Sequence, residues 1–187
     1  MTQKISDKIW QRLAPFLKEQ LLSKFDPTMI VPSTGDLNDK LQIDHKGFYL
    51  GLLDSSGNKL IRSGFLQEGS ISIIDSSLKV VGAAFDDLKA KGISHKAVQT
   101  SSFHFTVVWD VVFNNNGLAW NENEDGVYFS WGNRYQGLLL PYEIQRMNVT
   151  KVEIMNRLCN LQACVPANLW RLPEGLVSRL VCDSYAV

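Results

Sequence analysis

Three observations predict an α+β fold of two similar hairpin-helix-helix-strand units that share one curved, barrel-like sheet behind an N-terminal helix. The hydrophobic period switches between helical and alternating several times along the chain. Apolar strand pairs are joined by polar turn residues. The order hairpin, two helices, strand occurs over about residues 47–113 and recurs over about 118–187, without repeated letters. At 187 residues with 45% hydrophobic content, the chain suits one domain with a real core. Its parts are the helix in residues 1–25, a first unit over about 40–113 and a second over about 118–187.

The first helix is read from Ile5, Ile9, Leu13, Phe16, Leu17 and Leu21 on one face, with Lys4, Lys8, Arg12 and Lys18 at polar positions. Pro15 cannot donate to the ladder and crowds the Gln11 carbonyl, which predicts a kink or two short helices. Residues 26–46 carry Pro27, Pro32, Ser33, Gly35 and Asp36 and read as a loop, with a lid as one use for it.

A hairpin follows, residues 48–53 and 59–66 around Asp54-Ser55-Ser56-Gly57-Asn58. Both strands are almost continuously apolar, so both faces should be covered. A helix pair is expected after Gly69, the second with Leu78, Val81, Phe85 and Leu88 in one stripe and Gly92 as a left-handed cap. Phe103, Phe105, Val107, Trp109 and Val111 then alternate with Ser102, His104, Thr106, Val108 and Asp110, a long strand with one greasy face.

In the second unit Asn114-Asn115-Asn116-Gly117 turns the chain, and residues 118–120, 127–131 and 137–140 read as short strands. Pro141 can open a helix because its missing donor is not needed there. Thr150 and Glu153 have the spacing of a capping box for a helix with Ile154, Met155, Leu158 and Leu161 inward. Residues 175–187 alternate and close the sheet.

Nineteen basic residues balance nineteen acidic ones, which leaves no positive excess for binding nucleic acid. Three late cysteines, Cys159, Cys164 and Cys182, argue against a disulfide framework and for a reducing compartment, so a cytoplasmic location is expected. No apolar run approaches the roughly 20 residues that span a bilayer, and no membrane association is expected.

His45, His95 and His104 form no pair at metal-ligand spacing, and no metal or cofactor is implied. No base lies near a cysteine in sequence, so three buried or half-buried thiols are the simpler reading. Asp86-Asp87 and residues 122–125 are carboxylate clusters at helix-surface and turn positions. Trp131-Gly132-Asn133-Arg134-Tyr135-Gln136-Gly137 reads first as a hairpin turn and second as a rim for an anion or carbonyl ligand. In Leu60-Ile61-Arg62-Ser63-Gly64-Phe65-Leu66, a charge and a glycine interrupt an apolar strand, which reads either as a close ligand approach or as a bulge.

Several stretches together resemble the AMMECR domain family, named for the Alport syndrome, midface hypoplasia and elliptocytosis chromosomal region. Gly137-Leu138-Leu139-Leu140-Pro141 is similar to its Gly-Leu-Leu-Leu-Pro motif, and Asp125-Gly126-Val127-Tyr128-Phe129 to the strand before it. Ala83-Ala84-Phe85-Asp86-Asp87 resembles the Ala-Ala-Phe-x-Asp of its middle helix. Ala163-Cys164-Val165-Pro166-Ala167-Asn168-Leu169-Trp170 resembles its Ala-Gly-Leu-Pro-x-Asp-x-Trp, with Cys164 in place of glycine. The hallmark Leu-Arg-Gly-Cys-Ile-Gly falls on Ile61-Arg62-Ser63-Gly64-Phe65-Leu66, where only the arginine is kept and Gly64 replaces the cysteine.

The resemblance, over about residues 40–187, implies two strand-and-helix units on one sheet. The family has no established reaction, and some prokaryotic members resemble partners of a Memo-type protein and a radical SAM protein. A non-catalytic accessory or binding protein is therefore the leading expectation. Its ligand or partner would meet a cleft around Arg62, with Ser63, Gly64, Arg134 and Tyr135 as further contact residues. The alternative is an enzyme of unknown reaction assembled from Arg62, Arg134, Asp86 and His104.

Overall fold

The structure, a computed structural model, describes residues 4–31, 33, 35, 37, 41–67, 72–114, 116–132 and 134–187. Helix α1 (Asp7–Phe25) is followed by strands β1 (Gly47–Leu53) and β2 (Lys59–Leu66), helices α2 (Ile73–Ala90) and α3 (His95–Gln99), and strand β3 (Ser102–Phe113). Then come β4 (Asp125–Trp131), β5 (Tyr135–Leu139), α4 (Pro141–Gln145), α5 (Lys151–Arg157) and β6 (Gly175–Ala186). The six strands form one sheet in the order β2-β1-β3-β6-β4-β5, so the fold is α+β. The chain divides into two compact units, residues 1–108 with 183–187, and residues 109–182.

The units follow one plan. In the first, β1 pairs antiparallel with β2 on one side and β3 on the other. In the second, β4 does the same with β5 and β6. The first strand of each hairpin is thus flanked on both sides, which is why β1 is buried at every residue. β2 alternates between exposed and buried instead, because it is an outer strand of the sheet. A bulge at Leu60 shifts its register, and the Lys91 ammonium donates to the Leu60 carbonyl at 3.0 Å.

In the first unit, α1 runs unbroken through Pro15. The proline sits on the exposed side, where water can take the carbonyl bond it forfeits. Trp10, Leu13, Leu17 and Leu21 are its deepest residues; Trp10 takes the place read for Ile9, which is half-buried. Trp10 stacks on Tyr185 at 5.6 Å, and its indole nitrogen and the Ile5 amide both donate to Asp183. The helix pair expected before Gly92 is a single 18-residue helix, α2, capped by Ser72 Oγ accepting from the Asp75 amide. Gly92 ends it with φ +68, and the second helix, α3, follows that turn. Val80, Val81, Ala84 and Leu88 are the buried stripe of α2, while Leu78 and Phe85 lie at the margin.

In the second unit, residues 118–120 form a turn and not a strand. Their backbone groups bond locally, and the Lys151 ammonium takes the Leu118 and Trp120 carbonyls. Pro141 opens α4, with the Glu143 carboxylate accepting from the Leu140 amide at 3.1 Å. Thr150 caps α5, but Glu153 reaches forward to Arg157 at 3.0 Å, so this is half of the expected capping box. The chain widens into a π-helical turn, Leu158–Gln162, which leaves Leu161 exposed against the inward position read for it. Trp120, Phe129, Met155, Leu158 and Val177 anchor this unit's core.

Candidate functional site

Strand register decides which side chains of the first unit meet. Arg62 on β2 lies opposite Gly51 on β1, and Gly51 lies opposite His104 on β3. Paired residues share a sheet face, so Arg62, Gly51 and His104 form one row across three strands. The middle position has no side chain. Two strand spacings put the outer backbones about 10 Å apart, a gap that the guanidinium and imidazole can lean across. Both side chains are half-buried.

The adjacent row on the same face is Gly64, Tyr49 and Thr106. Thr106 is fully buried, and its hydroxyl shares a 3.0 Å hydrogen bond with that of Ser184. The other face is apolar: Ile61, Leu52 and Phe103 make one row, with Phe48 and Phe105 in the same layer. Lys18 of α1 sits over the Phe103 ring on that side, and α2 packs on α1, β1 and β2. The helices therefore cover the apolar face and leave the arginine row on the other.

This register sorts the residues singled out in the sequence. Ser63 is 6% exposed and pairs with Leu50, so it faces the helix layer and does not join Arg62. Gly64 shares Arg62's face, and the position that a side chain would take there is already filled. A Cβ there would lie 2.5 Å from the Phe48 carbonyl oxygen and 2.6 Å from Tyr49 Cγ. The close approach anticipated at this glycine is made by Tyr49. Asp86 is exposed on α2, within the helix layer, so the first unit does not gather Asp86 with Arg62 and His104.

Arg134 and Tyr135 belong to the second unit. Arg134 lies in the tight β4–β5 turn, where Gly132 has φ +57, and Tyr135 opens β5 opposite Trp131. Both are exposed, and Trp131 and Tyr135, on either side of the turn, pair antiparallel as in a hairpin. Cys159 and Cys182 are buried, and burial pushes the Cys159 thiol up to about 11, far from a nucleophile's range. Cys164 is exposed and has φ +55. Among the described residues no three His, Cys, Asp or Glu side chains gather as a metal site would require, and no helix is long and apolar enough to cross a membrane.

Gly51 is the one member of the row that sequence reasoning missed. Its signal is present: a glycine inside a wholly buried strand marks a place where something must come close. What sequence does not carry is that Arg62 and His104 are its two neighbours.

These features define a two-unit α+β protein with a polar row on one face of a covered sheet. No protein-family model matches the chain, and no curated protein matches it. Among solved structures it is similar to the crystal structure of the uncharacterised protein PH0010 from Pyrococcus horikoshii. The TM-score is 0.79 at 14% identity, covering 97% of this chain and 93% of that one. At that identity the likeness is one of fold.

Proposed function

We propose that this is an AMMECR-like, non-catalytic accessory protein that binds an anionic group of a ligand or partner through Arg62. One observation carries the reading: Arg62 and His104 flank the side-chain-free Gly51 on a single sheet face. A guanidinium fork with an imidazole beyond a glycine gap suits a carboxylate or phosphate oxygen entering between them. The enzyme alternative has less support, since Asp86 lies in the helix layer and Gly64 replaces the family's cysteine. The resemblance makes a Memo-type or a radical SAM protein the first partner to try, in the cytoplasm.

The test is a pull-down with purified Memo-type and radical SAM proteins, using wild type, Arg62→Ala and Arg62→Lys. Arg62→Ala should lose recovery at least tenfold while its circular dichroism stays native, and Arg62→Lys should recover part of it, since it keeps charge without the fork. Undiminished recovery by folded Arg62→Ala overturns the proposal.

A further inference from the structure

The second unit holds a cleft of about 540 Å³ between the end of β3, the start of β6 and the segment before it. Its walls include Phe113, Asn114, Trp170, Arg171, Leu172 and Val177. That volume lies within the usual range of about 300–1,000 Å³ for small-ligand sites. None of the candidate site residues read from sequence lines it, although Trp170 and the 114–117 turn are singled out there on other grounds.

The aromatic wall is held in place. The Trp170 indole nitrogen donates to Asn156 Oδ1 at 3.0 Å. Gly117 permits the ring to lie where it does, because a Cβ there would stand 2.9 Å from Trp170 Cε3. The Arg171 guanidinium lies 4.9 Å from the indole centroid. Phe113 and Leu172, 57% and 44% exposed, extend the apolar surface into solvent, which is a cost unless something covers them.

The polar wall is one-sided. Asn114 Oδ1 accepts from the Asn116 amide at 3.1 Å, and this fixes which way its carboxamide points. Its Nδ2 is shut off from water, and so from a ligand in the cleft as well. Among the described residues of the lining, Arg171 is the one that carries a charge, and no carboxylate contributes. An aromatic wall beside one guanidinium and no acidic group suits a planar ring carrying an anionic oxygen.

We infer that this cleft binds a small aromatic carboxylate, its ring against Trp170, Phe113 and Leu172 and its oxygens directed to Arg171. The site is separate from Arg62, so its test is independent of the function proposed above. The probe is 2-naphthoate, followed by the Trp170 indole N–H resonance in ¹⁵N-labelled protein and assigned through Trp170→Phe.

That resonance should move saturably with 2-naphthoate. Neutral 2-naphthamide and non-planar cyclohexanecarboxylate should each bind at least fivefold more weakly. Arg171→Gln should weaken 2-naphthoate at least fivefold and 2-naphthamide less than twofold. No saturable movement up to about 5 mM 2-naphthoate, or equal binding of the three probes, overturns the inference. The three probes are compared on the wild-type chain, so that outcome does not depend on any variant folding.

Discussion

Gly64→Ala should be among the most damaging single-methyl changes in the first unit. The new Cβ would meet the Phe48 carbonyl oxygen at 2.5 Å and Tyr49 Cγ at 2.6 Å, where ordinary contacts begin near 3.4 Å. Neither neighbour can easily give way. The carbonyl belongs to a strand paired on both sides, and Tyr49 is only 8% exposed. Overpacking of this kind costs about 1–3 kcal/mol, and holding alanine at φ +156 adds roughly 1 kcal/mol. Removing glycine's freedom in the unfolded chain returns about 0.5–1 kcal/mol. The net, about 1–3.5 kcal/mol, is a substantial part of the roughly 10 kcal/mol that stabilises a typical domain. Urea unfolding followed by far-UV circular dichroism should show the midpoint falling with an unchanged slope. In a Tyr49→Ala background the same substitution should cost at least about 1 kcal/mol less, because the ring is gone. Gly64→Cys should be worse than alanine, since its sulfur must enter the space Tyr49 fills. A loss below about 0.5 kcal/mol, or strict additivity with Tyr49→Ala, would refute this account of the glycine.

Two further outcomes can be measured on the same footing. Cys164 holds φ +55, a conformation that costs a side chain about 1–2 kcal/mol and glycine almost nothing. Cys164→Gly should therefore raise the melting temperature by about 1–3 °C after glycine's own entropy is set against the gain, and Cys164→Ala should not. Burial holds the Asp183 carboxyl above its ordinary range, against the lowering effect of the Ile5 and Trp10 hydrogen bonds. The folded state thus keeps this proton more tightly than the unfolded chain does. The stability this contributes is present below the unfolded carboxyl's pKa and is lost as pH rises through the folded one. Asp183→Asn can still accept both bonds through its carbonyl, so its stability relative to wild type should rise over that interval and then level off. Parallel stability curves in urea titrations across acid pH would contradict this.

What was legible in the chain was mostly local. Alternation placed Phe103, Phe105 and Val107 on one covered face, and Gly92, Pro141 and Thr150 mark helix ends where their backbone chemistry requires. The repeated plan was visible because each hairpin and its helices carry their own signals. Tertiary competition decided the rest. Residues 118–120 have strand-like side chains, yet Lys151, far along the chain, takes their carbonyls. Leu161 fits a helical stripe, but the π-helical turn rotates it outward. The candidate sites depended on the same long-range facts. Register alone sets Arg62 and His104 on either side of Gly51, and the cleft joins Asn114 to Trp170 across a span that no motif connects.

The outer strands also bear on how the protein behaves at high concentration. Gly137 lets the π-helical turn press against β5, where a Cβ would lie 2.8 Å from Leu158 Cδ1, and Gln162 Oε1 accepts the Leu138 amide at 3.2 Å. On β2, the Lys91 ammonium takes the Leu60 carbonyl beside a bulge. At each end of the sheet, a long polar side chain occupies a backbone group that a second chain would otherwise need in order to extend the ladder. A protein so rich in buried strand is thereby protected against growing edge to edge into aggregates.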